Sequence, residues 1–215
     1  NLFDKSNWQL SLGRYSLYNS KIIKIIKFLD SNGWEIGLHG SFNSFNDLKL
    51  LSNEKIILEN ILGHEVQGVR QHYLNLNDKT WKFQKTCGFK YDSTFGYTRK
   101  IGFKDDQYLS FHPFNDDFTV IPLVVMDSCF MSTENNWNEY LNLLDKVEET
   151  NGILVINWHQ RDFNDKEFPN HKQIYIQMIE EGLKRGANFK CLNDCFEDIL
   201  NSRNLVNQNN IFLKL

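Results

Sequence analysis

The sequence predicts a parallel α/β fold, either an open doubly wound sheet or a barrel, and three observations carry that reading. Short apolar runs alternate with amphipathic segments along most of the chain. Several runs are apolar on both faces, as strands covered by helices on each side must be. The order is strand then helix, repeated, which makes neighbouring strands parallel because each crossover brings the chain back to start in the same direction. At 215 residues the chain can bury a full core, and with 3 prolines and no Ser/Gly-rich stretch it reads as one domain over 1–215.

The elements follow in order. Ser20 is placed to cap a helix with apolar positions Ile22, Ile23, Ile25, Ile26 and Leu29, ended by Asn32-Gly33. Trp34–His39 reads as a strand, and Asn46 or Asp47 opens a helix through Leu51, Ile57, Leu58 and Leu62 that stops at Gly63. Val66–Arg70 is the next strand. A helix from Asp78 carries Trp81, Phe83 and Gln84 and closes at Gly88; a short strand near Phe89–Ser93 precedes a long irregular segment to about Thr119. Val120–Met126 is an almost unbroken apolar run, suited to a strand buried on both faces. A helix over about Glu134–Glu149, a strand Ile153–Trp158, a helix from Pro169 to Arg185, a strand Asn188–Leu192 and a helix Asp194–Leu200 complete the chain. The aromatics Trp34, Trp81, Phe89, Phe103, Phe111 and Phe114 fall mostly at core spacing. About six strands are visible and the first clear element is a helix, so a barrel of seven or eight strands would lack its first one or two here.

Composition narrows the function. Lys+Arg 24 against Asp+Glu 27 leaves a net charge of −3, with no basic surplus to suit nucleic acid. No apolar run approaches the roughly 18 residues of a membrane span. The start, Asn1-Leu2-Phe3-Asp4-Lys5, shows no signal-peptide pattern and no initiating Met, the look of a trimmed chain. Cys87, Cys129, Cys191 and Cys195 form no CxxC pair and read as free thiols. Together these point to a reducing, cytoplasmic setting.

The polar residues at the strand ends are the informative feature. His39 ends the first strand, Arg70 the second, Asp127 follows Val120–Met126, and His159 follows Ile153–Trp158. In a parallel barrel such ends share one face, the face on which active sites are built. Two imidazoles, a carboxylate and a guanidinium suit metal-assisted hydrolysis. A zinc-like ion polarises a carbonyl and lowers the pKa of bound water. A carboxylate takes the water's proton and an imidazole protonates the leaving amine, while Arg70 orients a carboxylate or offsets developing charge. His72 and His112 are alternative ligands. His64 and His171 lie beside helix ends and read as solvent-facing; Asp162 and Asp165 read as a polar loop leading to Pro169.

Trp34–Ser44 (WEIGLHGSFNS), Gly68–Tyr73 (GVRQHY), Gly88–Tyr97 (GFKYDSTFGY) and Val155–His159 (VINWH) occur in that order. They resemble, in turn, the second motif, the arginine-bearing third motif, the segment after it and the last motif of the polysaccharide deacetylase family. That family is carbohydrate esterase family 4, the chitooligosaccharide-deacetylase homology domain. The match runs from about Trp34 to His159 and looks especially like a branch tied to surface-polysaccharide biosynthesis. The resemblance implies a distorted (β/α) barrel of about seven strands, a divalent metal, zinc first, and removal of acetyl or other acyl groups from an amino-sugar-containing polysaccharide or its precursor. It makes His39 a metal ligand, Arg70 the holder of the catalytic carboxylate and His159 the general acid; Asp127, from its place at a strand end, joins the catalytic groups. The resemblance puts His72, Tyr73 and Asp92 along the substrate groove, and His112, in the long segment after the third strand, is placed to close over it and bind substrate. Two departures stand out. Asn43 occupies the place of the family's second metal histidine, where its side-chain oxygen would ligate. The opening motif, a strand ending in paired aspartates, has no counterpart, because Asp4 has no second Asp beside it. The reading is therefore an N-terminally incomplete deacetylase domain, with a catalytically degenerate glycan-binding module as the alternative.

Overall fold

The computed structural model describes residues 17–212, with side chains as far as Arg203; Asp4 lies outside the described residues. Among them the chain forms two compact units. One takes in residues 17–94, His112–Val120 and 191–212, the other Phe95–Phe111 and Ile121–Lys190.

The first unit is built on a four-stranded parallel sheet. Helix α1 (Ser20–Ser31) is capped by Asn19, one residue before the expected Ser20, whose side-chain oxygen accepts the Lys21 N–H at 2.9 Å. Strand β1 (Leu38–Gly40) leads to α2 (Leu48–Leu62), which Asp47 caps through the Leu50 N–H. Gly63 ends α2 at φ 85°, a left-handed turn that a side chain would resist. Strand β2 (Gly68–Gln71), helix α3 (Thr80–Thr86), and strands β3 (Tyr91–Asp92) and β4 (Thr119–Val120) complete the sheet in the order β1-β2-β3-β4. The register sets His39 against Arg70 and Val69 against Asp92. Gly68 is glycine because a Cβ there would stand inside the Tyr91 ring. Leu38, Leu51, Leu58, Val66, Val69, Phe89, Tyr91, Val120 and Phe196 are buried.

The second unit holds a two-stranded parallel sheet, β5 (Leu123–Met126) against β6 (Val155–Asn157). Its helices are the short α4 (Asp127–Ser132), α5 (Asn136–Thr150) and α6 (His171–Lys184). Ile101, Phe103, Val124, Val125, Phe130, Tyr140, Leu144 and Met178 form its core.

Four expectations change. The Val120–Met126 run is not one strand: Pro122 has no N–H for a ladder, so the run divides into β4 and β5, which belong to different sheets. The expected strand Asn188–Leu192 is an exposed segment leading into α7 (Leu192–Phe212), since none of its residues is buried against a neighbouring strand. Trp34 and Phe114, read as core, are 67% and 37% exposed. The barrel of about seven strands is met in its parallel α/β character, as six strands in two sheets among the described residues. Among the described residues no helix is long and apolar enough to cross a membrane.

Candidate active site

Each unit carries a polar cluster where its parallel strands end. In the first, His39 leaves β1 exposed, and its Nε2 lies 3.0 Å from Nδ1 of His72, which follows β2. The rings meet edge to face at 5.2 Å, and Phe42 and Tyr73 close around His72. Tyr73 and Leu74 are both left-handed, at φ 55° and 53°. Such backbone costs energy that its surroundings must hold. Asn75 holds it, its N–H on the His72 carbonyl at 3.1 Å and its side-chain amide on the Phe42 carbonyl. The turn aims the His72 ring at His39 and leaves Tyr73 half exposed. Two nitrogens on one tetrahedral ion, at ~2.0–2.1 Å each, stand roughly 3.3 Å apart. The His39–His72 spacing therefore fits a shared metal. Asn43, read from sequence as the second ligand, is exposed on the loop before the turn Ser44–Asn46 and does not cap that turn.

Behind the pair, Arg70 donates from Nε to the Ser93 carbonyl at 2.8 Å and from a terminal nitrogen to the Ser93 hydroxyl at 3.0 Å. Burial pulls its pKa below the usual guanidinium range, against the charges of Asp92 and Glu35. Asp92 is fully buried. It accepts from the Trp81 indole, the Gln84 amide and both the backbone N–H and hydroxyl of Thr94. Burial pushes its carboxyl above the usual range in spite of those donors. Placed on the groove by sequence, Asp92 instead binds α3 to the end of β3, closed to solvent. His112 is half-buried, with Nδ1 3.3 Å from the Phe118 carbonyl and the Thr119 hydroxyl oxygen. The Thr119 hydroxyl hydrogen goes to the Asp117 carbonyl, so the ring donates from Nδ1 and clips its own loop.

In the second unit, Asp127 follows β5 and His159 follows β6. One oxygen of the fully buried Asp127 accepts from the His159 backbone N–H at 2.6 Å and from its ring Nδ1 at 2.5 Å, and the other accepts from the Ser128 N–H at 2.5 Å. Burial pushes this carboxyl up, but the His159 ring, backbone and charge together with Ser128 hold it down to about 2. Nδ1 thus faces the carboxylate, and Nε2 is the nitrogen left for chemistry.

Sequence reasoning missed the next residues. Asp162, read as loop, is 3% exposed in the turn Gln160–Phe163, and its Oδ1 faces Nδ1 of His171 at 2.8 Å. His171, read as solvent-facing, packs against Trp158 and Phe168. Burial and the neighbouring Asp127 push the Asp162 carboxyl up. The signal was present: His159 and Asp162 are three apart, the spacing that brings side chains onto one face of a helical turn. Asp127, His159 and Asp162 offer ligand atoms all within 4.8 Å of one another, the one group of three or more His, Cys, Asp or Glu so arranged among the described residues.

The family model described as WbmS-like polysaccharide deacetylase matches residues 15–162, well over half of the chain. No curated protein matches. Among solved structures, a protein named as a polysaccharide deacetylase from Pseudomonas aeruginosa PAO1 superposes with a TM-score of 0.63 at 17% identity, over 82% of this chain and 63% of that one. Another of that name, from Mycobacterium smegmatis, gives 0.58 at 16%, over 85% and 68%. A GH57 branching enzyme from Thermococcus kodakaraensis gives 0.54 at 9%, over 82% and 49%. At these identities the likeness is one of fold, and that fold carries more than one chemistry. The chain spans about two thirds of the first two structures' length and half of the third's.

Proposed function

The chain belongs to the WbmS-like polysaccharide deacetylase family, and from that premise we propose that it is a metal-dependent hydrolase removing acetyl groups from an amino-sugar-containing polysaccharide or its precursor. The observation that carries the proposal is the Asp127–His159 pair, a buried carboxylate fixing one ring nitrogen of an imidazole at 2.5 Å. An imidazole so oriented is a general acid in waiting: when protonated it donates from Nε2 to the leaving amine, and the adjacent carboxylate stabilises the cation until then. Asp127 sets the tautomer and ring angle through two contacts, the ring and the backbone N–H.

His39 and His72 would hold the metal, with Asn43 as a further oxygen donor; zinc suits the imidazoles best. When bound, such an ion supplies Lewis acidity to the acyl carbonyl and acidifies a water. Arg70 braces the end of β2 through Ser93 and adds a fixed positive charge near His39, its partner in the register. Tyr73, half exposed beside His72, offers an aromatic face for a sugar ring.

The test is acetate release from partly N-acetylated glucosamine oligomers by the zinc-loaded chain, with His159→Ala alongside. Release that falls by ~10²–10⁴-fold in the variant supports the reading. Binding of the oligomers without release by either protein would establish a glycan-binding module instead.

A further inference from the structure

Asp162 plays no part in the proposed reaction, yet it is one of the most deeply buried acids of the second unit. Its Oδ1 is matched by His171, while its Oδ2 is buried with no hydrogen-bond partner. Arg161 Nε stands 3.8 Å from that oxygen, an ion pair at the surface side but beyond hydrogen-bond reach. The carboxylate shares its surroundings with Asp127, whose own oxygens are turned to His159 and Ser128. An orphaned carboxylate oxygen in a buried place is costly, and two carboxylates there repel unless a proton or a cation lies between them.

We infer that Asp127, His159 and Asp162 form a divalent-cation site made without His39 or His72, with His171 as the group that orients Asp162. The donor set, two carboxylates and an imidazole, suits zinc, cobalt or manganese rather than calcium, which takes six to eight oxygens. The carboxylate–histidine contact at 2.8 Å is the kind of support that ligating groups receive from a second layer of residues. Waters would fill the remaining positions. Binding takes a lone pair of the His159 ring, which a proton then cannot hold, because that lone pair goes to a proton or to the ion, not to both. The site shares Asp127 and His159 with the deacetylase reading but does not depend on it. Where both hold, a cation here removes the general acid, so excess metal inhibits.

The experiment uses the full chain carrying His39→Ala and His72→Ala, which removes the first unit's imidazole pair. This protein is titrated with cobalt(II), read by visible absorption, and its zinc content is measured after dialysis. Close to one equivalent of metal is expected. Adding Asp162→Asn should weaken binding at least tenfold, and His171→Gln by ~10–100-fold. Circular dichroism checks each fold, and His171→Gln carries the test should Asp162→Asn unfold. No metal in the double variant, or binding unchanged by both further substitutions, overturns the site. Acetate release by the unsubstituted chain is scored separately, so loss of either reading leaves the other standing.

Discussion

Two fully buried aspartates, one in each unit, are driven in opposite directions. Asp92 in the first unit accepts four hydrogen bonds, from Trp81, Gln84 and Thr94, and burial still pushes its carboxyl up. Asp127 in the second accepts fewer, yet falls to about 2. Two things differ, the depth of enclosure, greater around Asp92, and the nature of the donors. Indole, amide and hydroxyl satisfy lone pairs without offsetting the loss of water around a charge; an imidazole that can carry a charge of its own does both. Asp92 is thus a fastening between β3 and α3, and Asp127 a poised charge. Their surroundings separate the roles where their residue type does not.

The contrast can be broken in several ways. The largest effect should come from Asp127→Asn, which keeps the shape and removes the charge. Acetate release should fall by ~10²–10⁴-fold while the urea midpoint moves little by comparison. An unchanged rate would leave Asp127 no different in kind from Asp92. Next, Asp92→Ala strands the buried Trp81, Gln84 and Thr94 donors, at about 1–3 kcal/mol each in full and about 3 kcal/mol in all after relaxation. Asp92→Asn should cost well under that, and chemical denaturation of the two variants compares them. Gly68→Ala presses a methyl into the Tyr91 ring beside Asp92 and should cost about 1–3 kcal/mol by overpacking; a neutral result would mean the ring gives way freely.

The last test is pH. Asp127 has its folded value below the unfolded value of about 4, so its contribution is full above that and fades as pH falls towards about 2. Asp92 has its folded value raised, so its contribution is greatest at low pH and is lost as pH rises through that value. Over acid titration, the stability gap between the unsubstituted chain and Asp127→Asn should therefore narrow, and the gap to Asp92→Asn should widen in favour of the unsubstituted chain. Parallel curves would remove the distinction.

By itself the sequence determined the parallel α/β class, the helix stops at Gly63 and Asn32-Gly33, and the polar strand ends His39, Arg70, Asp127 and His159. These are local properties: hydrophobic period, caps and breakers are written in neighbouring residues. The family, too, was legible from four ordered segments. Tertiary structure alone decided the partners. His39 and His72, 33 residues apart, stand side by side, a contact that no local motif spacing gives. Pro122 divides one apolar run between two sheets, because a ladder needs an N–H that proline lacks. Asp92, read in a short strand, and Asp162, read in a loop, are both buried, and only the packing around them says that one is tied to neutral donors while the other keeps an oxygen unmatched. Charge, burial and hydrogen bonding act between residues distant in sequence, and a site's chemistry is settled at that range.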